Sequence, residues 1–102
     1  MKKSLELIEA LANLEDFDNI SYIYIEGGYR SQSSKVVIIP IELIEIKSMK
    51  PPKGMEYLIE VETAKDVLKA WSFMRDGRVP SVLEKVIAIL YYAKNDSFLP
   101  IE

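Results

Sequence analysis

Apolar residues recur at the helical period over residues 4–15: Leu7, Ile8, Leu11 and Leu14, with Glu6, Glu9 and Asn13 between them. That spacing predicts an amphipathic helix with Ser4 available as its N-cap. Residues 16–19 supply turn chemistry, and residues 20–26 then change to the two-residue period of a strand. Ser21, Ile23 and Ile25 fall on one face, and Tyr22, Tyr24 and Glu26 on the other. Gly27-Gly28 ends this strand and opens a polar loop that runs to Lys35.

Residues 36–47 are apolar and β-branched, yet they cannot form one ideal central strand. Pro40 has no amide to donate, and the alternation slips near Leu43-Ile44, as a bulge would cause. The pattern predicts an edge strand bent at Pro40 or two short strands. Lys50-Pro51-Pro52-Lys53-Gly54 breaks the chain most clearly. Residues 55–62 then alternate cleanly, with Met55, Tyr57, Ile59 and Val61 expected inward and Glu56, Leu58, Glu60 and Glu62 outward. Thr63-Ala64-Lys65-Asp66 resembles a capping box for a helix whose apolar face is Val67, Leu68, Trp71 and Met74. Gly77 suits the left-handed C-cap of that helix. Ser81-Val82-Leu83-Glu84 is an S-x-x-E capping box opening a last helix to about Lys94, apolar nearly all round and so expected to be the most buried. Residues 98–102 are a short strand candidate. The expected fold is α+β, a small antiparallel sheet against about three helices, in the order α-β-β-β-α-α-β.

The chain is the length of one domain, residues 1–102. Ile39-Pro40-Ile41-Glu42 returns as Leu99-Pro100-Ile101-Glu102, and at the same offset Leu7, Ile8, Ala10, Leu11 and Leu14 fall on Val67, Leu68, Ala70, Trp71 and Met74. A competing alignment pairs helix, turn and strand at the start with helix, turn and strand at the end. Either would make two half-motifs, 1–49 and 54–102, hinged at the Lys/Pro/Gly turn, with a groove between the halves as a binding place.

Composition narrows the chemistry. The chain has neither histidine nor cysteine. Ser-His-Asp and Cys-His catalysis, the usual zinc and iron–sulfur sites, and redox dithiols therefore fall away, and no metal or cofactor is expected. Thirteen basic and 16 acidic residues give a net charge of −3, too balanced for general binding to nucleic acid or anionic lipid. Glu6 and Glu9 interrupt what would be a signal peptide, and no apolar run is long enough to span a membrane, so an intracellular (host cytoplasmic) soluble protein is expected. One Gln and three Asn stand among abundant Ile, Lys, Glu and Tyr. An AT-rich genome would favour Ile, Lys, Asn and Tyr alike; the scarcity of Asn favours a hyperthermophile.

Four groups of residues could carry function. The loop from Gly27 to Lys35 offers glycines, hydroxyls, Arg30 and Lys35 to an anion, but it lacks P-loop spacing and leads into a strand. Glu56, Glu60 and Glu62, with Glu42 and Glu45 elsewhere, recur at the period of a solvated face rather than a catalytic pair. Lys47, Lys50 and Lys53 with Arg75 and Arg78 are the residues a nucleic-acid contact would use. Helix-turn-helix recognition does not suit the apolar last helix. Tyr22, Tyr24, Tyr29 and Arg30 are the residue types favoured at protein interfaces, beside a strand that as an edge would accept an added peptide.

The Ile-rich runs Val36-Val37-Ile38-Ile39-Pro40-Ile41 and Gly54-Met55-Glu56-Tyr57-Leu58-Ile59-Glu60-Val61, set among Lys and Glu, resemble the short orphan proteins of filamentous viruses of hyperthermophilic archaea, such as those of Acidianus. The likeness covers the whole chain and carries no signature motif. It implies a small adaptor or regulator. The expectation is therefore a non-enzymatic protein- or peptide-binding module of an archaeal virus, with a homodimer through the same surface as a variant. A nucleic-acid-contacting regulator or packaging protein is the alternative.

Overall fold

The alternating stretches of the chain meet in one antiparallel sheet. The computed structural model describes residues 4–45 and 47–101. Along them run β1 (Leu5–Glu6), α1 (Leu7–Ala12), a 3-10 turn (Leu14–Asp16), β2 (Ser21–Glu26), β3 (Lys35–Pro40), α2 (Ile41–Glu45), β4 (Met55–Glu60), α3 (Val61–Phe73) and α4 (Val82–Asn95). The strands lie in the order β1-β3-β2-β4, each antiparallel to its neighbour. The fold is α+β with an antiparallel sheet, in an element order different from the one the pattern predicts.

The sheet separates two apolar layers. Ile23, Ile25, Val36, Leu58 and Ile59 point toward α1, α3 and α4, where Leu7, Leu11, Val61, Val67, Trp71 and Ile89 complete the main core. Tyr24, Val37 and Ile39 face the other way, under Leu43, Ile44 and Met49 from α2 and the segment after it. The alternation of β2 into an isoleucine face and a tyrosine face is as the sequence predicts.

Four local expectations are corrected. The first helix does not begin at Ser4: Leu5 and Glu6 pair with Val36 and Lys35, and the helix starts at Leu7. The amides of Leu7 and Ile8 donate to the carbonyls of Ser34 and Gln32 at 2.8 and 2.9 Å, which satisfies part of the helix N-terminus with loop backbone. Next, the stretch after Pro40 is helical, not extended; the slip at Leu43-Ile44 marks α2, whose turn places both side chains over the tyrosine face. Third, α3 follows β4 directly from its N-cap at Glu60, so Thr63 to Asp66 lies inside the helix rather than capping it. Last, residues 98–101 form no strand, and Glu102 lies outside the described residues.

The last helix keeps its Ser81 capping box, with the Glu84 amide donating to Ser81 Oγ at 3.2 Å and the Ser81 amide to Glu84 Oε1 at 2.9 Å. It is not the most buried helix. Val86, Ala88 and Ile89 face α1 and α3, but Leu83 and Ile87 are 53% and 55% exposed because those helices cover one side only.

The two half-motifs do not emerge as repeated units. Ile39-Pro40-Ile41 ends a strand and begins a helix, whereas Leu99-Pro100-Ile101 is irregular. β4, from the second half, pairs with β2 from the first, so the halves share one sheet.

Candidate functional site

A β-bulge determines what β4 offers. Ile23 pairs with Ile59 and Tyr24 with Tyr57, which leaves Leu58 as an extra residue. Leu58 and Ile59 consequently both enter the main core, at 5% and 3% exposure. The expectation that Leu58 points outward is wrong for this reason. Tyr57, before the bulge, lies on the tyrosine face and is 51% exposed.

Three tyrosines thus meet on that face. Ring centroids of Tyr22 and Tyr57 are 5.5 Å apart, those of Tyr24 and Tyr57 6.1 Å, and those of Tyr22 and Tyr24 6.4 Å, all edge-to-face. This is the preferred aromatic geometry, with the electropositive edge of one ring against the face of the next. The rings touch one another and leave no slot between them, so a ligand would meet their outer surfaces. Loss of hydration holds the Tyr22 phenol above its ordinary value of 10.0, and the charges of Glu60 and Glu45 push it the same way. The Tyr57 phenol is raised first by lost hydration and then by Glu60, while the Glu60 backbone amide acts in the opposite direction. The face combines π surfaces with carboxylates, a combination that favours a cation.

The rim beside it has backbone to offer. β4 is the last strand of the sheet and is paired only through β2 among the described residues. The Gly27 amide donates to the Gly54 carbonyl at 2.9 Å. Counting along the antiparallel ladder from that bond turns the Tyr57 amide and carbonyl away from β2, toward the open side.

The other predicted binding residues are dispersed. Tyr29 stands 92% exposed in the β2–β3 connection. Arg30 pairs with Glu56 at 3.3 Å. Glu56 shares its register position with Ile25, so this ion pair lies on the side of the sheet opposite the three tyrosines. The polar loop is an internally bonded turn, with Ser34 buried and its Oγ accepting from the Ser31 amide at 2.8 Å.

Lys47, Lys50 and Lys53 are exposed along the segment between α2 and β4. Arg75 and Arg78 belong to the helical layer, where both guanidinium groups lie over Trp71. The sheet stands between these two sets. A depression of about 450 Å³ does lie between the chain's halves, near Leu14, Leu68, Lys69 and Val79, and none of the predicted site residues lines it. Among the described residues no cluster of acidic groups is placed to hold a metal ion, and no helix is long and apolar enough to cross a membrane.

Tyr57, expected to point inward, is the residue of this face that the sequence pattern misplaces. Glu60 and Glu45, read from their spacing as a solvated face, lie close enough to raise the Tyr22 phenol. The adjacent apolar pair Leu58-Ile59, interrupting an otherwise alternating strand, was the available signal of a bulge. Comparison of the chain with protein-family models, with curated proteins and with solved structures gave no match.

Proposed function

We propose that this protein is a non-enzymatic peptide-binding module that adds one extended strand of a partner to the outer edge of β4. A basic side chain of that strand would lie over the tyrosine face. The observation that carries this reading is the meeting, at one edge, of unpaired β4 backbone and the half-exposed Tyr57 ring beside Glu60. Backbone pairing supplies affinity without regard to sequence, and alternate side chains supply selection. The bulge at Leu58 keeps the usable edge short, to about the first four residues of β4, which also limits edge-to-edge self-association. A small adaptor of an archaeal virus is the setting that the compositional resemblance supports.

The test is a titration of the isotope-labelled chain followed through its backbone amide resonances. Acetyl-VKVKVK-amide should shift Tyr57, whose amide faces the open edge, more than Met55, whose amide already donates to the Pro52 carbonyl at 3.1 Å. Acetyl-VEVEVE-amide should shift Tyr57 much less. Tyr57→Ala should weaken the lysine peptide several-fold, since a cation–π contact contributes roughly 0.5–2 kcal/mol. Equal response to the two peptides, or shifts that avoid β4, would defeat the proposal.

A further inference from the structure

Residues 97–101 are held on the helical layer by contacts of a kind normally seen between a protein and a bound peptide. They leave α4 after Asp96, whose left-handed backbone (φ 53°) ends the helix. Phe98 then stacks on Tyr92, with centroids 5.8 Å apart and planes at 30°. Leu99 packs against the main core. From α3, Arg75 Nη2 donates to the carbonyls of Leu99 and Pro100 at 3.3 and 3.1 Å, while its Nη1 donates to the carbonyl of Trp71 at 3.1 Å. The same guanidinium lies 4.5 Å from the centre of the Trp71 ring. Arg78, 4.7 Å from that ring, is itself fixed by Glu84 at 3.0 Å.

Each contact has a defined role. Arg75 takes two consecutive main-chain carbonyls, a contact that does not depend on the side chains of the segment. A proline in the segment has no amide to satisfy, so the groove needs to offer no acceptor there. Selection falls to the apolar seat of Leu99 and the ring surface of Tyr92. The segment also fills its groove incompletely. A cavity of about 350 Å³ persists between Trp71, Arg78, Glu84, Ile87 and Ile101.

We propose that the groove between α3 and α4 is a second peptide-binding site. Its ligand class is an aromatic-Leu-Pro-apolar segment, and residues 97–101 occupy it as a tethered competitor. The chain itself shows the chemistry of the occupant. Tethering raises the local concentration of such a segment to about the millimolar range, so a free peptide meets a groove already filled. Loosening the tethered segment makes the groove available, and apparent affinity for a peptide in trans rises accordingly. This site uses the helical layer and is independent of the β4 edge.

Trp71 is the sole tryptophan and 4% exposed, so its emission reports occupancy directly. The probe is the peptide SFLPIE, which contains no tryptophan, added to the full chain carrying Phe98→Ala or Leu99→Ala. Both substitutions should shift Trp71 emission to the red, and SFLPIE should restore it. The concentration needed should be at least about tenfold below that required to perturb the unchanged chain. SFAPIE, without the leucine, should not restore it. Phe98 is 46% exposed, so Phe98→Ala keeps the test valid if Leu99→Ala fails to fold. No response of either folded variant to millimolar SFLPIE overturns the proposal, as does equal restoration by SFAPIE. Restoration that follows protein concentration and ignores the peptide assigns the groove to a second copy, and overturns it too.

Discussion

Replacing Leu58 by alanine tests the bulge that shapes the candidate site. In a regularly alternating strand Leu58 would join Glu56 and Glu60 on a solvated face, and its loss would cost under about 1 kcal/mol. Tyr57 would then be the inward residue, with a cost of roughly 3–5 kcal/mol for truncating a buried aromatic. The bulge reverses this order. Leu58 is 5% exposed within the main core, while half of Tyr57 is already in water. A buried leucine cut to alanine loses about 2–5 kcal/mol, and an edge strand can relax toward the cavity, so about 2–3 kcal/mol is expected. Tyr57→Ala should cost less, about 1–2 kcal/mol, for the half of the ring that packs on Tyr22 and Tyr24. Urea unfolding followed by Trp71 emission measures both, and an unchanged m-value shows that the same surface is exposed. At about 4–8 °C per kcal/mol, Leu58→Ala should lower Tm by roughly 10–20 °C. A larger loss for Tyr57→Ala than for Leu58→Ala would refute the assignment of the bulge.

Other outcomes follow from single contacts. Ser81→Ala should destabilise the chain by about 1 kcal/mol, read in the same urea experiment, because the α4 cap loses its acceptor. The Ser81 backbone amide, followed by Arg78, holds the Glu84 carboxyl below its ordinary 4.5. Its stabilisation should therefore be complete above pH 4.5 and vanish as pH falls through the lowered value, so the unchanged chain and Glu84→Gln should converge in stability under acid. Tyr22 and Tyr57 should ionise above the ordinary 10.0 in an alkaline absorbance titration, an assignment checked with Tyr22→Phe and Tyr57→Phe. Because both values lie above 10.0, stability should be full below pH 10.0 and fall as pH rises through them. Arg30 and Glu56 are 31% and 59% exposed, and a double-mutant cycle should assign their pairing under about 1 kcal/mol.

Local rules were legible wherever one residue determines them. The two faces of β2, the capping box at Ser81 and the core position of Trp71 all follow from period and side-chain chemistry. What escaped depends on partners distant in sequence. Leu5 and Glu6 extend because β3 lies beside them, although their own pattern is helical. Residues 98–101 carry the composition of a strand, but Arg75 takes two of their carbonyls and Leu99 finds its seat among helices. Tyr22 and Tyr24 could be placed on one face from alternation alone. Their union with Tyr57 required the bulge, and the separation of Arg30 from them required the register.

The unequal covering of the sheet also bears on how the molecule opens. Its isoleucine face lies under three helices, whereas its tyrosine face is covered by α2, five residues with none buried, and by the segment that follows. Local opening costs least where few apolar groups must be re-exposed. Hydrogen exchange should therefore fall into two tiers: protection limited by partial detachment for residues 41–45 and 47–54, and protection set by global unfolding for β2. Tyr22 and Tyr24 belong to the slow tier through their backbone on β2, whereas the Tyr57 amide, turned to the open edge of β4, should exchange fast.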